Sequence, residues 1–256
     1  KAKKSFFLFF IKIFYKKKLN RIFWHFTSKK EMSESKANLN CIINNYFISE
    51  NLVNAPILIN PNSNDTSKPS VKTGGKLNIV FLSRISPIKN LEYCLKVLAN
   101  IKSDIVFHIY GPNEDLHYWN KCKNLISELP ANIEVKYLGS LNQDLVLSNL
   151  EKYDVFFLPT KGENFGHVIF EALSAGLILL ISNNTPWVDL EEFGIGHDIS
   201  LDNFEYFVEC IERYANMNNN ELAELKSKSY SYIEKYLSED KSYQNTDLMI
   251  KTIIDK

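Results

Sequence analysis

The sequence predicts an α/β fold, a doubly wound Rossmann-like parallel sheet over residues 77–235, and three observations carry that prediction. Five short apolar runs rich in β-branched and aromatic residues recur along this stretch. Segments of helix length separate them, and the loops that follow the runs collect glycine, proline and charged residues. Strand and helix in alternation give a parallel sheet covered on both faces, with ligand sites beyond the carboxyl ends of the strands.

Taken in chain order, residues 5–24 read as an aromatic and basic helix. Ser28-Lys29-Lys30-Glu31 follows as a capping box that starts a second, short helix. Cys41–Ile48 and Ile57–Ile59 read as strands. Residues 60–76 are polar, rich in Asn, Ser, Pro and Gly, and read as a linker. The strands of the main sheet are expected at Leu77–Leu82, Ile105–Tyr110, Ile133–Leu138, Val155–Leu158 and Leu177–Ile181. Helices are expected at Leu91–Leu98 and Val168–Leu173, and from residue 203 onward the pattern suits three more. This divides the chain into 1–60, a linker at 61–76, the main domain at 77–235 and a C-terminal helix at 236–256.

Composition narrows the function. The chain has 256 residues, 45% of them hydrophobic, enough for one large α/β core with material left over. Lys and Arg equal Asp and Glu at 30 each, yet residues 1–30 hold ten bases and no acid. The remainder is therefore acidic, which argues against a general nucleic-acid binder. Cys41, Cys94, Cys122 and Cys210 stand far apart without metal spacing and read as reduced, buried thiols of a cytoplasmic protein. Phe6–Ile11 falls well short of the ~20 apolar residues of a membrane span, and lysines stand where a signal-peptide cleavage site belongs. Residues 1–24 suit either a peripheral position on an anionic membrane or a helix packed on a further domain. The chain starts at Lys1 rather than Met and reads as a fragment.

Two loops hold the chemistry. After the first strand, Arg84 and Lys89 precede the helix Leu91–Leu98. Cations at a helix start oppose the dipole preference, which suits an anion bound between them; the alternative is a pair of solvated surface cations. After the fourth strand comes Gly162-Glu163-Asn164-Phe165-Gly166-His167-Val168. Its glycines let backbone approach a ligand, and the helix start offers free amides to phosphate. Glu171 interrupts an apolar helix, and a sugar diol offers two hydroxyl donors to such a carboxylate; a structural salt bridge is the other reading. His167 fits either a substrate contact or a cap. His108 and His117 read as core and surface residues.

Glu163 and Glu171, with seven residues between them, match the Glu-x7-Glu signature of retaining GT-B glycosyltransferases. Together with Leu82–Leu91, Ile109-Tyr110-Gly111-Pro112, Gly162–Leu173 and Thr185-Pro186-Trp187, they make residues 77–235 resemble glycosyltransferase family 4, especially its bacterial surface-polysaccharide members. The resemblance implies the C-terminal, donor-binding domain of a hexosyltransferase, with residues 1–60 a remnant of the N-terminal, acceptor-binding domain. It assigns Arg84 and Lys89 to the donor diphosphate, Glu163 to the sugar near the reacting carbon, and Glu171 to the ribose. Asn164, Phe165, Gly166, His167 and Val168 would line the phosphates and sugar, and the loop around Gly139–Leu141, with Leu141, would lie against the base. Arg84, Lys89 and Glu163 are the expected catalytic residues. The implied partners are a nucleotide-sugar and a glycan or lipid-linked acceptor. No Asp-x-Asp pair occurs, so metal-independent transfer with retention, and no cofactor, is expected. Val188, His197 and Leu177-Ile178 depart from the family pattern, which touches details of the last loop. A nucleotide-sugar-binding module without full activity is the second reading.

Overall fold

The computed structural model describes residues 24–26, 29–39, 46–48 and 75–239, with 245 and 251 as isolated helical positions. The chain divides into two compact units, Lys1–Asn54 with Glu239–Lys256, and Ala55–Ser238.

The first unit contains a small βαβ element. Strand β1 (Trp24–Phe26) leads through helix α1 (Lys29–Leu39) to β2 (Tyr46–Ile48), and the strands pair in parallel with Trp24 opposite Tyr46. Alternation along a strand puts Trp24 and Phe26 on one face, where Phe26 is buried against Trp24, Met32 and Ile48. Trp24 is therefore strand rather than the end of a helix over 5–24, because its partner is β2. The strand expected at Cys41–Ile48 is seen at Tyr46–Ile48. Residues 1–23, 41–45 and the strand expected at Ile57–Ile59 lie outside the described residues, as do all but the last two positions of the linker.

The second unit is a six-stranded parallel sheet in the order β5-β4-β3-β6-β7-β8. Its strands are β3 (Leu77–Leu82), β4 (Ile105–Tyr110), β5 (Ile133–Tyr137), β6 (Val155–Leu158), β7 (Ile178–Ser182) and β8 (Gly196–Ile199). Helices α2 (Leu91–Leu98), α3 (Leu116–Ser127), α4 (Val146–Leu150), α5 (His167–Ser174), α6 (Phe204–Asn216) and α7 (Asn219–Glu239) connect and cover it. The central strands β6 and β7 are buried at every position, as expected for a sheet shielded on both faces. Phe156 and Phe157 are adjacent on β6, point to opposite faces, and are both fully buried. Each such side chain stabilises the fold by about 1.5–3 kcal/mol. At the edge, β5 becomes exposed toward Tyr137.

Helix α2 buries Leu91, Cys94, Leu95 and Leu98, a spacing that forms one stripe of an α-helix. Helix α7 runs unbroken across residues 235 and 236, so the expected boundary there falls inside a helix. It is tied to the sheet by Lys226, whose ammonium donates to the Tyr153 carbonyl at 2.6 Å, and by Ser229, whose hydroxyl donates to the Leu177 carbonyl at 2.9 Å. The third helix expected beyond α6 and α7 lies outside the described residues. Among the described residues, no helix is long and apolar enough to cross a membrane.

Candidate active site

The strand order reverses between β3 and β6. From β3 the chain winds outward through β4 and β5, then returns to place β6 on the other side of β3. In an open sheet of this kind the crevice for a ligand opens beyond the carboxyl ends of those two strands. The two loops that leave them are residues 83–90 and 159–166, the two that the sequence singled out.

These loops are bound to one another. The Lys161 amide donates to the Ile88 carbonyl at 2.8 Å, and the Thr160 hydroxyl donates to the same carbonyl at 3.2 Å. The Asn90 side-chain amide donates to the Pro159 carbonyl at 2.9 Å. Across this seam the Lys89 ammonium pairs with the Glu163 carboxylate, each side chain only 11% exposed. Glu163 is fixed from behind, its amide donating to the Asn184 carbonyl at 3.0 Å. The expected diphosphate cation and the expected sugar-side carboxylate therefore face the same crevice.

Asn90 was not anticipated from the sequence as part of the site. It caps α2 in the left-handed region (φ 64), a conformation asparagine tolerates better than other side chains do. An Asn directly before an apolar-periodic helix is an N-cap signal, and that signal was present.

Arg84 is held differently. Its guanidinium meets the Glu114 carboxylate at 3.2 Å, and both side chains are about half exposed, at 57% and 46%. Glu114 lies in the loop after β4, which closes on the loop after β3. The Ile85 amide donates to the Pro112 carbonyl at 2.9 Å, and a Cβ on Gly111 (φ +134) would stand 1.8 Å from the Ser83 carbonyl oxygen. Only glycine permits that approach. Among the described contacts Arg84 is joined to Glu114, not to Lys89 or Glu163.

The far end of the second loop opens α5. Gly166 (φ 80) caps this helix in the left-handed region. The amides of His167 and Val168, at the start of the helix, have no acceptors within it and form its positive end. Phe165 is buried: the Trp187 indole donates to its carbonyl at 2.6 Å and packs against its ring. Asn164 and His167 are exposed and Val168 is half-buried, with the His167 ring 4.9 Å from that of Phe165. One turn on, Glu171 is half-buried. Burial pushes its carboxyl above the usual glutamate range, opposed by a hydrogen bond from Gln143 and by His167 nearby. Gln143 comes from the loop after β5, two residues beyond the half-buried Leu141, and its amide nitrogen donates to Glu171 Oε1 at 2.5 Å. That contact was not legible in the sequence.

The remaining candidates have structural surroundings. His108 shares a hydrogen bond with the Tyr153 hydroxyl at 2.7 Å, and His117 is exposed. Cys94, Cys122 and Cys210 are free and buried, while Cys41 lies outside the described residues. Among the described residues, no group of three His, Cys, Asp or Glu side chains is placed to hold a metal ion.

Residues 62–194, just over half of the chain and inclusive of every loop above, match the protein-family profile described as "Glycosyl transferases group 1". The chain belongs to that family. It is 26% identical over 162 residues to a GDP-mannose:cellobiosyl-diphosphopolyprenol alpha-mannosyltransferase of Xanthomonas oryzae pv. oryzae, a match covering 62% of this chain and 42% of that protein. It is 27% identical over 107 residues to an uncharacterized glycosyltransferase of Methanocaldococcus jannaschii, covering 41% of this chain and 27% of that protein. The matches thus span less than half the length of these curated relatives.

Among solved structures, a glycosyltransferase from Rickettsia africae superimposes with a TM-score of 0.75 at 16% identity, over 95% of this chain and 67% of that one. A mutant of S. aureus TarM in complex with Fondaparinux, alpha-GlcNAc-glycerol and UDP gives 0.66 at 17% identity, over 90% of this chain and 43% of that one. These likenesses establish the fold, the Rossmann-like sheet of GT-B glycosyltransferases.

Proposed function

We propose that this group 1 glycosyltransferase chain is the donor-binding portion of a retaining, metal-independent enzyme of hexosyltransferase type. It takes a nucleotide-sugar as donor and a glycan or lipid-linked acceptor, in the synthesis of bacterial surface polysaccharide or lipopolysaccharide. Residues from 77 to the end of α7 form the nucleotide-sugar domain, 61–76 the linker, and 1–60 belong to the acceptor-binding domain. The reading is supported by a relative that carries a polyprenol-linked acceptor in its name and by a structural neighbour solved with UDP. Its family 4 features are the Glu-x7-Glu spacing and the absence of any Asp-x-Asp pair. A cytoplasmic location, with residues 1–24 resting on the inner membrane face, fits an acceptor carried on lipid.

The observation that carries the proposal is the Lys89–Glu163 pair, seated in the crevice between β3 and β6. During transfer the bond between the anomeric carbon and the diphosphate oxygen breaks, and its electron pair leaves with the diphosphate. Lys89, Arg84 and the amides at the start of α5 stabilise that growing charge from positions fixed by the fold. Glu163 stands beside the cationic end and holds the sugar at its reacting carbon. The acceptor oxygen attacks from the same face and passes its proton to the departing phosphate oxygen, which retains the configuration. Glu171 accepts hydrogen bonds from the ribose, and the segment around Leu141 packs on the base.

A thermal-shift screen over UDP, GDP, ADP, CDP and their sugars tests this. A ligand at about 100 times its Kd adds about 2.7 kcal/mol to the native state. One nucleoside diphosphate is expected to raise the melting temperature, and the absence of a shift with all of them would overturn the assignment. A second reading is a module that binds nucleotide-sugar without transferring it. Labelled donor with a polyprenol-linked acceptor separates the two, since binding without transfer supports the module.

A further inference from the structure

Gln143 is an exposed residue in the 3-10 turn Gln143–Leu145, yet its side chain is committed to one partner across the crevice. It reaches from the loop after β5 to Glu171 on α5, and its amide nitrogen bonds Glu171 Oε1 at 2.5 Å. A carboxylate that reads two hydroxyls must present both oxygens at fixed positions. A glutamate side chain has three torsions to fix, and a single anchored oxygen removes most of that freedom. The anchor also matters electrically. Glu171 is half-buried and has no cation bonded to it among the described contacts, so a neutral N–H donor is the main local group that favours its ionised form over the protonated one. An amide suits this role better than lysine or arginine. A cation would neutralise the carboxylate and compete with the hydroxyl donors, whereas an amide leaves its charge available.

Resting on the donor-site reading above, we infer that Gln143 is a positioning residue for ribose recognition: it orients the Glu171 carboxylate so that the two oxygens meet a vicinal diol. It acts through Glu171 and has no part in the chemistry at the sugar. One further neighbour bears on the same carboxylate, His167 at the start of α5. Removing Gln143 leaves it in place, so the loss is confined to orientation and to the fraction of Glu171 that is ionised.

The test compares UDP and GDP with their 2′-deoxy counterparts by calorimetry, from about pH 5 to about pH 8. The variants are Gln143→Met, which keeps length and removes the donor, and Gln143→Lys, which is one atom longer and keeps a donor. Wild type is expected to prefer the ribonucleotide. In Q143M that preference falls about tenfold, the size of one hydrogen bond to a charged group, and it sets in at higher pH because Glu171 ionises later. Q143K restores most of the pH profile. Both variants keep the wild-type melting temperature, since the side chain is exposed, and inorganic pyrophosphate binds equally to all three. A Q143M chain with wild-type discrimination and an unshifted pH profile overturns this inference alone. A wild-type chain that binds none of these nucleotides overturns the donor-site reading and this inference together.

Discussion

Replacing Lys89 by alanine does two separable things, and the structure sets the size of each. In the empty protein it strands Glu163. The pair is only 11% exposed on either side, closer to a buried pair, whose breakage costs about 3–5 kcal/mol, than to a surface pair worth about 0–1 kcal/mol. A loss of about 2–4 kcal/mol in unfolding free energy is expected from urea titration. Glu163→Gln in the same chain should return most of it, because the stranded charge is gone. In the liganded protein the same substitution removes a charged hydrogen bond to the diphosphate. That is worth about 1.5–3 kcal/mol, or about 10- to 150-fold in Kd. Calorimetry with the nucleoside diphosphate found in the thermal-shift screen measures it. The double variant is the decisive sample: it should regain stability while binding the diphosphate about 10- to 150-fold more weakly than Glu163→Gln alone. Affinity within twofold of wild type in both the single and the double variant would refute the place given to Lys89.

Three further outcomes follow from the same geometry. Glu163→Gln alone removes an anion beside the diphosphate site while leaving Lys89 free, so nucleoside diphosphate should bind about 3- to 10-fold tighter as transfer is lost; weaker binding in calorimetry would contradict this. Glu171 has a folded-state pKa raised by burial, so its contribution to stability is fully present below the unfolded value of about 4.3 and declines as pH rises through the folded value. Glu171→Gln should abolish that decline in urea titrations run on both sides of the window, and a variant with the wild-type pH slope would show that another group is responsible. Gly111→Ala would set a methyl 1.8 Å from the Ser83 carbonyl oxygen at a φ of +134, forcing apart the loops after β3 and β4. A loss of at least about 3 kcal/mol is expected from thermal unfolding, with weaker nucleotide binding in whatever folds.

The elements that were legible in the sequence are those where burial on both faces forces long apolar runs. β3, β4 and β6 appear at their expected bounds for that reason. β7 begins one residue later than expected because the Leu177 amide is taken by the Ala172 carbonyl at the end of α5. β8 was not expected at all. Gly196-His197-Asp198-Ile199 carries one large apolar residue in four, and it is strand only because β7 lies beside it; a Cβ on Gly196 would meet the Leu179 carbonyl oxygen at 1.9 Å. Trp24–Phe26 shows the same limit, since the tract that ends there carries helix-like aromatic spacing while a strand partner lies 22 residues on.

The site divides along the same line. Arg84, Lys89, Glu163 and Glu171 stand out in the sequence as candidates because charges in loops at strand ends, or inside an apolar helix, need a reason, and of the four the structure joins Lys89 to Glu163. Their internal partners were not. Glu114 and Gln143 look like ordinary loop residues, and each acquires its role only when two loops far apart in sequence close on each other.

The claim that most depends on the fold is that a nucleoside diphosphate is gripped jointly by the loops after β3, β5 and β6. Amide hydrogen exchange of the whole chain, with and without the ligand found by thermal shift, reads this directly. Protection is expected at residues 83–90, 139–145 and 160–171, with the edge strand β8 unchanged. Protection absent from 83–90 and 160–171, or concentrated on another face of the sheet, would contradict a donor site between β3 and β6.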